Sequence, residues 1–134
     1  MKPFHLDSSM KTMRGVFYPT GHMVLMFPTE QGARDAARLL GDNGFAEDDV
    51  SLITPGDFQR EIVGATGDDE ALPSAGTEGD TVRKFTNLAR EGHHALMIRA
   101  PHAEDSDRVM ALLKDCQISY GQKYRMLVIE DIVE

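Results

Sequence analysis

A short internal repeat constrains the fold of this chain more than any other feature. Residues 21–27 read GHMVLMF and residues 92–98 read GHHALMI, so the two segments share Gly, His, Leu and Met at matching positions. Each copy reads as a buried strand, and each is followed by a segment of helical spacing with a Leu-Leu pair and then by a second strand. The repeat therefore predicts two strand-helix-strand units.

Two such units combine into one sheet when both crossovers are right-handed. The expected result is a four-stranded antiparallel sheet in the order 4-1-3-2 with the helices on one face, which is the ferredoxin-like arrangement. We therefore predict an α+β fold of this kind. A doubly wound parallel sheet is the alternative, but four strands and a long central insert favour the ferredoxin-like arrangement.

The chain divides into an N-terminal arm and one ferredoxin-like domain. The arm covers residues 1–20, and the domain covers residues 21–134 as a first repeat (21–54), an acidic linker (55–80), an extra helix (81–91) and a second repeat (92–134). Residues 41–80 hold eleven acidic residues and one basic residue, whereas the formal charge of the whole chain is −8. The negative charge is therefore concentrated in the connection, and its glycine-rich part at 64–79 is expected to be mobile.

Apolar spacing and capping residues predict the individual elements. We expect strands at residues 22–27, 49–54, 94–100 and 123–133, and helices at 30–40, 81–91 and 103–116, with a short helix at 55–63. Thr29 and Asp80 are the predicted N-caps of the helices that follow them.

The first repeat has an alanine-rich helix at residues 29–40, TEQGARDAARLL, followed by Gly44-Phe45 and by DDVSLI at residues 48–53. This succession of an Ala-rich helix, a Gly-aromatic turn and an acidic step into a strand resembles the opening of bacterial heat-induced or general stress protein domains. The second half, residues 92–133, is similar to them in pattern. Because such families carry no established catalytic residues, the resemblance implies a stress-related, non-enzymatic protein and transfers no site residue.

Histidines are the candidates for acid-base or metal chemistry. In an antiparallel sheet, His22 starts the first strand near the end of the third, where Arg99 and His102 lie. We predict a ligand-binding edge formed by His22, Arg99 and His102, of a kind that suits an anion or a metal ion; exposed strand-end histidines are the alternative. His93 and His94 fall at the opposite end of the sheet, and the spacing of a zinc motif is missing, so we expect no bound metal and no cofactor.

One face of the predicted sheet is apolar where it should be polar. An antiparallel sheet with helices on one face normally presents polar residues on the other, but here that face carries Val24, Met26, Ala95 and Met97. A second subunit, the N-terminal arm, the helix at 81–91 or a ligand must therefore cover it. We favour the second subunit, so these four residues are the predicted interface of a homodimer.

Several classes of protein are excluded or disfavoured. No apolar run approaches the roughly 18 residues of a membrane span, and the first residues lack the pattern of a secretory signal, so we expect a cytoplasmic location. The single cysteine, Cys116, forms no internal disulfide and reads as a core residue. The acidic charge and the missing RNP-type Lys/Arg-Gly-Phe pattern make nucleic acid an unlikely partner.

We therefore expect a non-enzymatic, cytoplasmic binding or regulatory module that self-associates and is stress-related. A small-ligand-binding protein or weak enzyme, with a pocket between the paired sheets of a dimer, is the first alternative. An RNA-binding domain is the second, because the RNA-recognition fold has the same topology.

Overall fold

The strands of the protein form one six-stranded sheet in the order β1-β3-β4-β2-β5-β6. The computed structural model describes residues 1–4, 19–63, 76–124 and 129–133. Its strands are β1 (Lys2–Pro3), β2 (His22–Phe27), β3 (Val50–Ile53), β4 (His94–Arg99), β5 (Tyr120–Tyr124) and β6 (Ile129–Val133). The long apolar strands β2 and β4 lie at the centre of the sheet, as their sequences require.

Helices connect the strands and cover both faces of the sheet. They are α1 (Glu30–Asp42), α2 (Pro55–Asp57), α3 (Gly76–Arg90) and α4 (Ala103–Leu112). A π-helix (Phe58–Val63) continues α2, and a single 3-10 turn (Glu47–Asp49) precedes β3. The mixed α+β class predicted from the sequence is confirmed. None of the helices in the described ranges combines the length and the apolarity that crossing a membrane requires.

The prediction of a four-stranded, wholly antiparallel sheet is wrong. The four inner strands β3-β4-β2-β5 are antiparallel, but β1 adds a parallel strand beside β3, where Lys2 lies opposite Ser51. The amide of Phe4 extends this pairing by donating to the carbonyl of Leu52 at 3.1 Å. The strand predicted at 123–133 is two antiparallel strands, β5 and β6, on either side of residues outside the described part.

Helix α1 forms as its sequence predicts. The Thr29 hydroxyl accepts a hydrogen bond from the Gly32 amide at 3.0 Å, which satisfies one of the unpaired N–H groups at the helix start. Its buried residues recur at helical spacing on a single face: Ala33, Ala36, Ala37 and Leu40. This face packs with α4 against Met23, Leu25 and Phe27 of β2. The small alanines allow the helix to approach the sheet closely.

The acidic linker is shorter than predicted. Helix α3 begins at Gly76 rather than at residue 81, so Asp80 lies inside the helix and is not its N-cap. At the other end, α2 and the π-helix occupy residues 55–63. Of the segment predicted to be mobile, residues 76–79 are helical, and residues 64–75 lie outside the described residues.

The predicted dimer interface is wrong, because α3 and the π-helix cover that face of the sheet from within the chain. Val24, Met26 and Ala95 are fully buried, and Met97 is 3% exposed. They pack in one cluster with residues from the arm, the π-helix, α3 and β5: Phe4, Phe58, Val82, Phe85, Ala89, Tyr120 and Tyr124. The Phe85 ring lies 6.0 Å from that of Phe58 and 5.0 Å from that of Tyr120, measured between centroids. The prediction of helices on one face only is also wrong, because helices cover both faces of the sheet.

Candidate functional site

The register of the sheet brings two of the three predicted ligand residues together. His22 lies opposite Arg99 in the β2–β4 ladder. His22 is half-buried, with Nδ1 3.1 Å from the carbonyl oxygen of Thr20, while Arg99 is exposed. His102 is an exposed residue at the N-cap of α4, and its backbone amide donates to the Asp105 carboxylate at 3.2 Å. All three therefore lie near the same end of the sheet.

A cavity of about 340 Å³ opens at this end of the sheet. Its lining comes from the residues before β2, the β4–α4 connection and the end of β5: Thr20, Gly21, Ala100, Pro101, Ala103, Lys123 and Tyr124. Four of these residues, Gly21, Ala100, Pro101 and Ala103, are chain neighbours of the predicted ligands. The side chains of His22, Arg99 and His102 themselves are not part of the lining.

Backbone hydrogen bonds at Gly21 hold the walls of the cavity together. The Gly21 amide donates to the carbonyl of Tyr124 at 2.8 Å, and the Gly21 carbonyl accepts from the Ala100 amide at 2.9 Å. Gly21 has a φ of 81°, in the left-handed region that side chains with a Cβ disfavour. Glycine at this position therefore lets one residue tie the ends of β2, β4 and β5 to each other.

Lys123 is the charged residue of the cavity. It lies opposite Met23, and Met23 packs in the cluster beneath α1 and α4, so the lysine occupies the face of the sheet that these helices cover. Lys123 is only 6% exposed. Within the described ranges, the Lys123 ammonium makes no hydrogen bond and no ion pair. Buried lysines are normally paired, which makes this one exceptional.

The N-terminus of α4 adds a second source of positive potential. The cavity reaches Ala103, the first residue of this ten-residue helix. The amides of Ala103 and Glu104 have no acceptor inside the helix, and the helix dipole places partial positive charge at this end. Of the acids in the first turn, Glu104 is exposed and Asp105 accepts from the His102 amide. Two positive elements therefore meet around one cavity, and an anion complements both.

The side chains of the predicted site lie on the opposite face of the sheet from Lys123. Adjacent residues of a strand point to opposite sides, so His22 and Arg99 share the α3 face with Val24 and Met97, whereas Lys123 lies on the α1 and α4 face. The predicted residues lie at the same end of the sheet as the cavity, but the prediction did not include Lys123. A lysine in the polar run Gly-Gln-Lys-Tyr gives no sign of burial until its pairing with Met23 is known.

Two further histidines make contacts at the opposite end of the sheet. At the opposite end of the sheet, His93 Nδ1 lies 2.8 Å from the Ser119 hydroxyl, and His94 Nε2 lies 3.9 Å from the Glu30 carboxylate. Glu30 has a lowered pKa, chiefly because Arg34 donates a hydrogen bond to it. In the part of the chain that the structure describes, no three His, Cys, Asp or Glu residues come together as a metal site.

The sheet face on which an RNA-recognition domain would stack bases is the face that α3 and the π-helix cover. No family model matches the chain, and no curated protein and no solved structure is significantly similar to it. The candidate function therefore depends on the cavity beside Lys123.

Proposed function

We propose that the protein is a small-ligand-binding module that holds a phosphate- or carboxylate-bearing molecule in the cavity beside Lys123. One observation carries this proposal. Lys123 is 6% exposed, has no charged partner among the described residues, and lines a cavity at the N-terminus of α4. An ammonium group that is largely removed from water is unfavourable unless an anion or hydrogen-bond acceptor compensates it. A bound anion supplies that compensation.

The cavity suits a small ligand. Its volume of about 340 Å³ is near the lower end of the range for small-molecule sites. Apart from Lys123, the walls are mainly small or apolar residues, among them Ala100, Pro101 and Ala103. Such walls fit the body of a compact metabolite, while the ammonium and the helix amides bind its anionic group.

Binding is favoured over catalysis by the chemistry of the lining. The polar side chains of the cavity are an ammonium, an aliphatic hydroxyl and a phenol, from Lys123, Thr20 and Tyr124. Among the described residues, neither a carboxylate nor an imidazole lines the cavity to exchange protons near neutral pH. The resemblance of the first repeat to general stress protein domains supports a stress-related role for this binding, and we propose a cytoplasmic location for it.

In this proposal, the four inner strands form a ferredoxin-like unit together with α1 and α4. Strands β1 and β6 and helix α3 are additions to that unit. Because α3 fills the second face of the sheet from within the chain, the ligand site is complete in one copy and does not need the paired sheets of a dimer.

Titration calorimetry with inorganic phosphate at low ionic strength tests the proposal. We expect Lys123→Met to weaken phosphate binding at least tenfold, because it removes the ammonium and keeps a chain of similar length. The matched control is Lys114→Met, which removes an exposed lysine and is expected to leave the affinity within twofold. Equal phosphate affinities for the native chain and Lys123→Met would refute the proposal.

A further inference from the structure

A second cavity lies where α2 and the π-helix meet α3. Its volume is about 260 Å³. Seven residues from these elements line it: Pro55, Gly56, Phe58, Gln59, Thr86, Ala89 and Arg90. Phe58 and Ala89 belong to the core cluster on the α3 face, so this cavity shares no residue with the cavity beside Lys123.

The inner wall of this second cavity is apolar. Phe58, Thr86 and Ala89 are all buried. The Thr86 hydroxyl donates to the carbonyl of Val82 at 2.7 Å, so its proton is already used within α3. The cavity therefore offers a ligand mainly hydrocarbon and aromatic surface, which suits an apolar group better than water.

The helical turn that forms the outer wall is rigidly capped. The Asp57 amide donates to the Thr54 hydroxyl at 3.1 Å, and the Thr54 amide donates to the Asp57 carboxylate at 3.0 Å. The second oxygen of Asp57 accepts from Arg60 at 2.6 Å. The positive charge of Arg60 is therefore neutralised by Asp57, and π-helical segments such as the one that follows often occur at functional sites.

Arg90 supplies positive charge at the edge of the cavity. It is exposed, and in the described part of the chain its guanidinium makes no hydrogen bond and no ion pair. The last carbonyls of α3 are already occupied, because Leu88 accepts from the Glu91 and His93 amides and Ala89 accepts from the Gly92 amide. The guanidinium of Arg90 is therefore available to a ligand carboxylate, which it can bind through two parallel hydrogen bonds.

We propose that this cavity is a second ligand site, selective for small apolar carboxylic acids. The apolar body of the acid packs against Phe58 and Ala89, and its carboxylate pairs with Arg90. This assignment is independent of the phosphate or carboxylate site beside Lys123, because the two cavities share no lining residue.

Benzoate and benzyl alcohol are matched probes, since they share the ring and differ in charge. We expect benzoate to shift the amide resonances of Thr86 and Ala89 in heteronuclear NMR spectra of the full chain. Arg90→Gln should weaken benzoate binding at least fivefold and leave binding of benzyl alcohol unchanged. The control Arg38→Gln removes an exposed arginine from α1 and should alter neither.

Ala89→Leu fills the cavity and should weaken the binding of both probes, with circular dichroism used to verify that the variant is folded. If Ala89→Leu does not fold, the Arg90→Gln comparison stands alone as the test. Lys123→Met should leave the benzoate-induced shifts of Thr86 and Ala89 unchanged, which separates this site from the carboxylate site proposed beside Lys123. The inference is overturned if benzoate does not shift these two resonances, if Arg90→Gln leaves the affinity measured from them unchanged, or if Lys123→Met abolishes their shifts.

Discussion

Lys123 lies directly opposite Met23 in the antiparallel ladder between β2 and β5. Met23 is fully buried beneath α1 and α4, and the lysine beside it is 6% exposed. A charged residue therefore lies beside a buried methionine on the β2 side, while the β5–β6 register places Glu130 opposite it on the other side. A bound anion would offset the cost of burying the lysine.

Lys123→Met should stabilise the ligand-free protein. The substitution replaces a charged side chain in a residue that is 6% exposed with an apolar side chain of similar length. We expect the free energy of unfolding in anion-poor buffer to rise by about 1 kcal/mol. Urea denaturation of both proteins in a phosphate-free buffer measures this. A loss of more than about 1 kcal/mol would instead assign Lys123 a structural role.

Met26→Glu should unfold the protein rather than release a folded monomer. Met26 is a fully buried residue of β2 that packs in one cluster with residues of α3. An unpaired carboxylate there is expected to lower the free energy of unfolding by more than about 4 kcal/mol. Circular dichroism and analytical ultracentrifugation of native and variant chains give the answer. Met26→Leu is the control and should cost less than about 1.5 kcal/mol. A folded, monomeric Met26→Glu variant of a dimeric parent would restore the dimer interface that the structure rejects.

Thr29→Ala should destabilise the protein by about 1 kcal/mol, because it removes the side-chain cap from the Gly32 amide at the start of α1. Thr29→Ser retains the hydroxyl and should keep most of that stability. Chemical denaturation with unchanged slope is the appropriate measurement. Equal losses for the alanine and serine variants would show that the threonine methyl group, and not the cap, is responsible.

Cys116 should be alkylated slowly in the native state. Burial raises the pKa of its thiol, and the negative charges of Asp115 and Asp35 raise it further. A raised pKa means that the folded state favours the neutral thiol, so this contribution to stability is lost as the pH rises above the pKa of an unfolded cysteine. Iodoacetamide at pH 8.5 is expected to react several-fold faster with the urea-unfolded chain than with the native one. Equal rates would contradict this assignment.

The central part of the fold could be predicted because its signals are local. The apolar run of β2, the Thr29 cap and the helical spacing of Ala33, Ala36 and Leu40 are all read within about twenty residues, and each appears in the structure. The sequence predicts the start of α3 five residues too late, because glycine and acidic residues at 76–80 are typical of a linker, whereas the structure includes them in the helix.

The site could be predicted only in part, because it depends on register and on contacts between distant segments. The antiparallel pairing of the repeats was enough to bring His22 close to Arg99. The burial of Lys123 depends on where β5 begins along β2, and the sequence placed that strand three residues too late. The parallel strand at Lys2–Pro3 likewise depends on a contact with β3 that no local pattern indicates.

The most direct test of the anion site is the amide spectrum of the first turn of α4 during a phosphate titration. If phosphate binds between Lys123 and the helix N-terminus, the amide resonances of Ala103 and Glu104 should shift in the native chain and remain unchanged in Lys123→Met. Amide shifts of the same size in both proteins, or shifts confined to a different surface, would contradict the proposal.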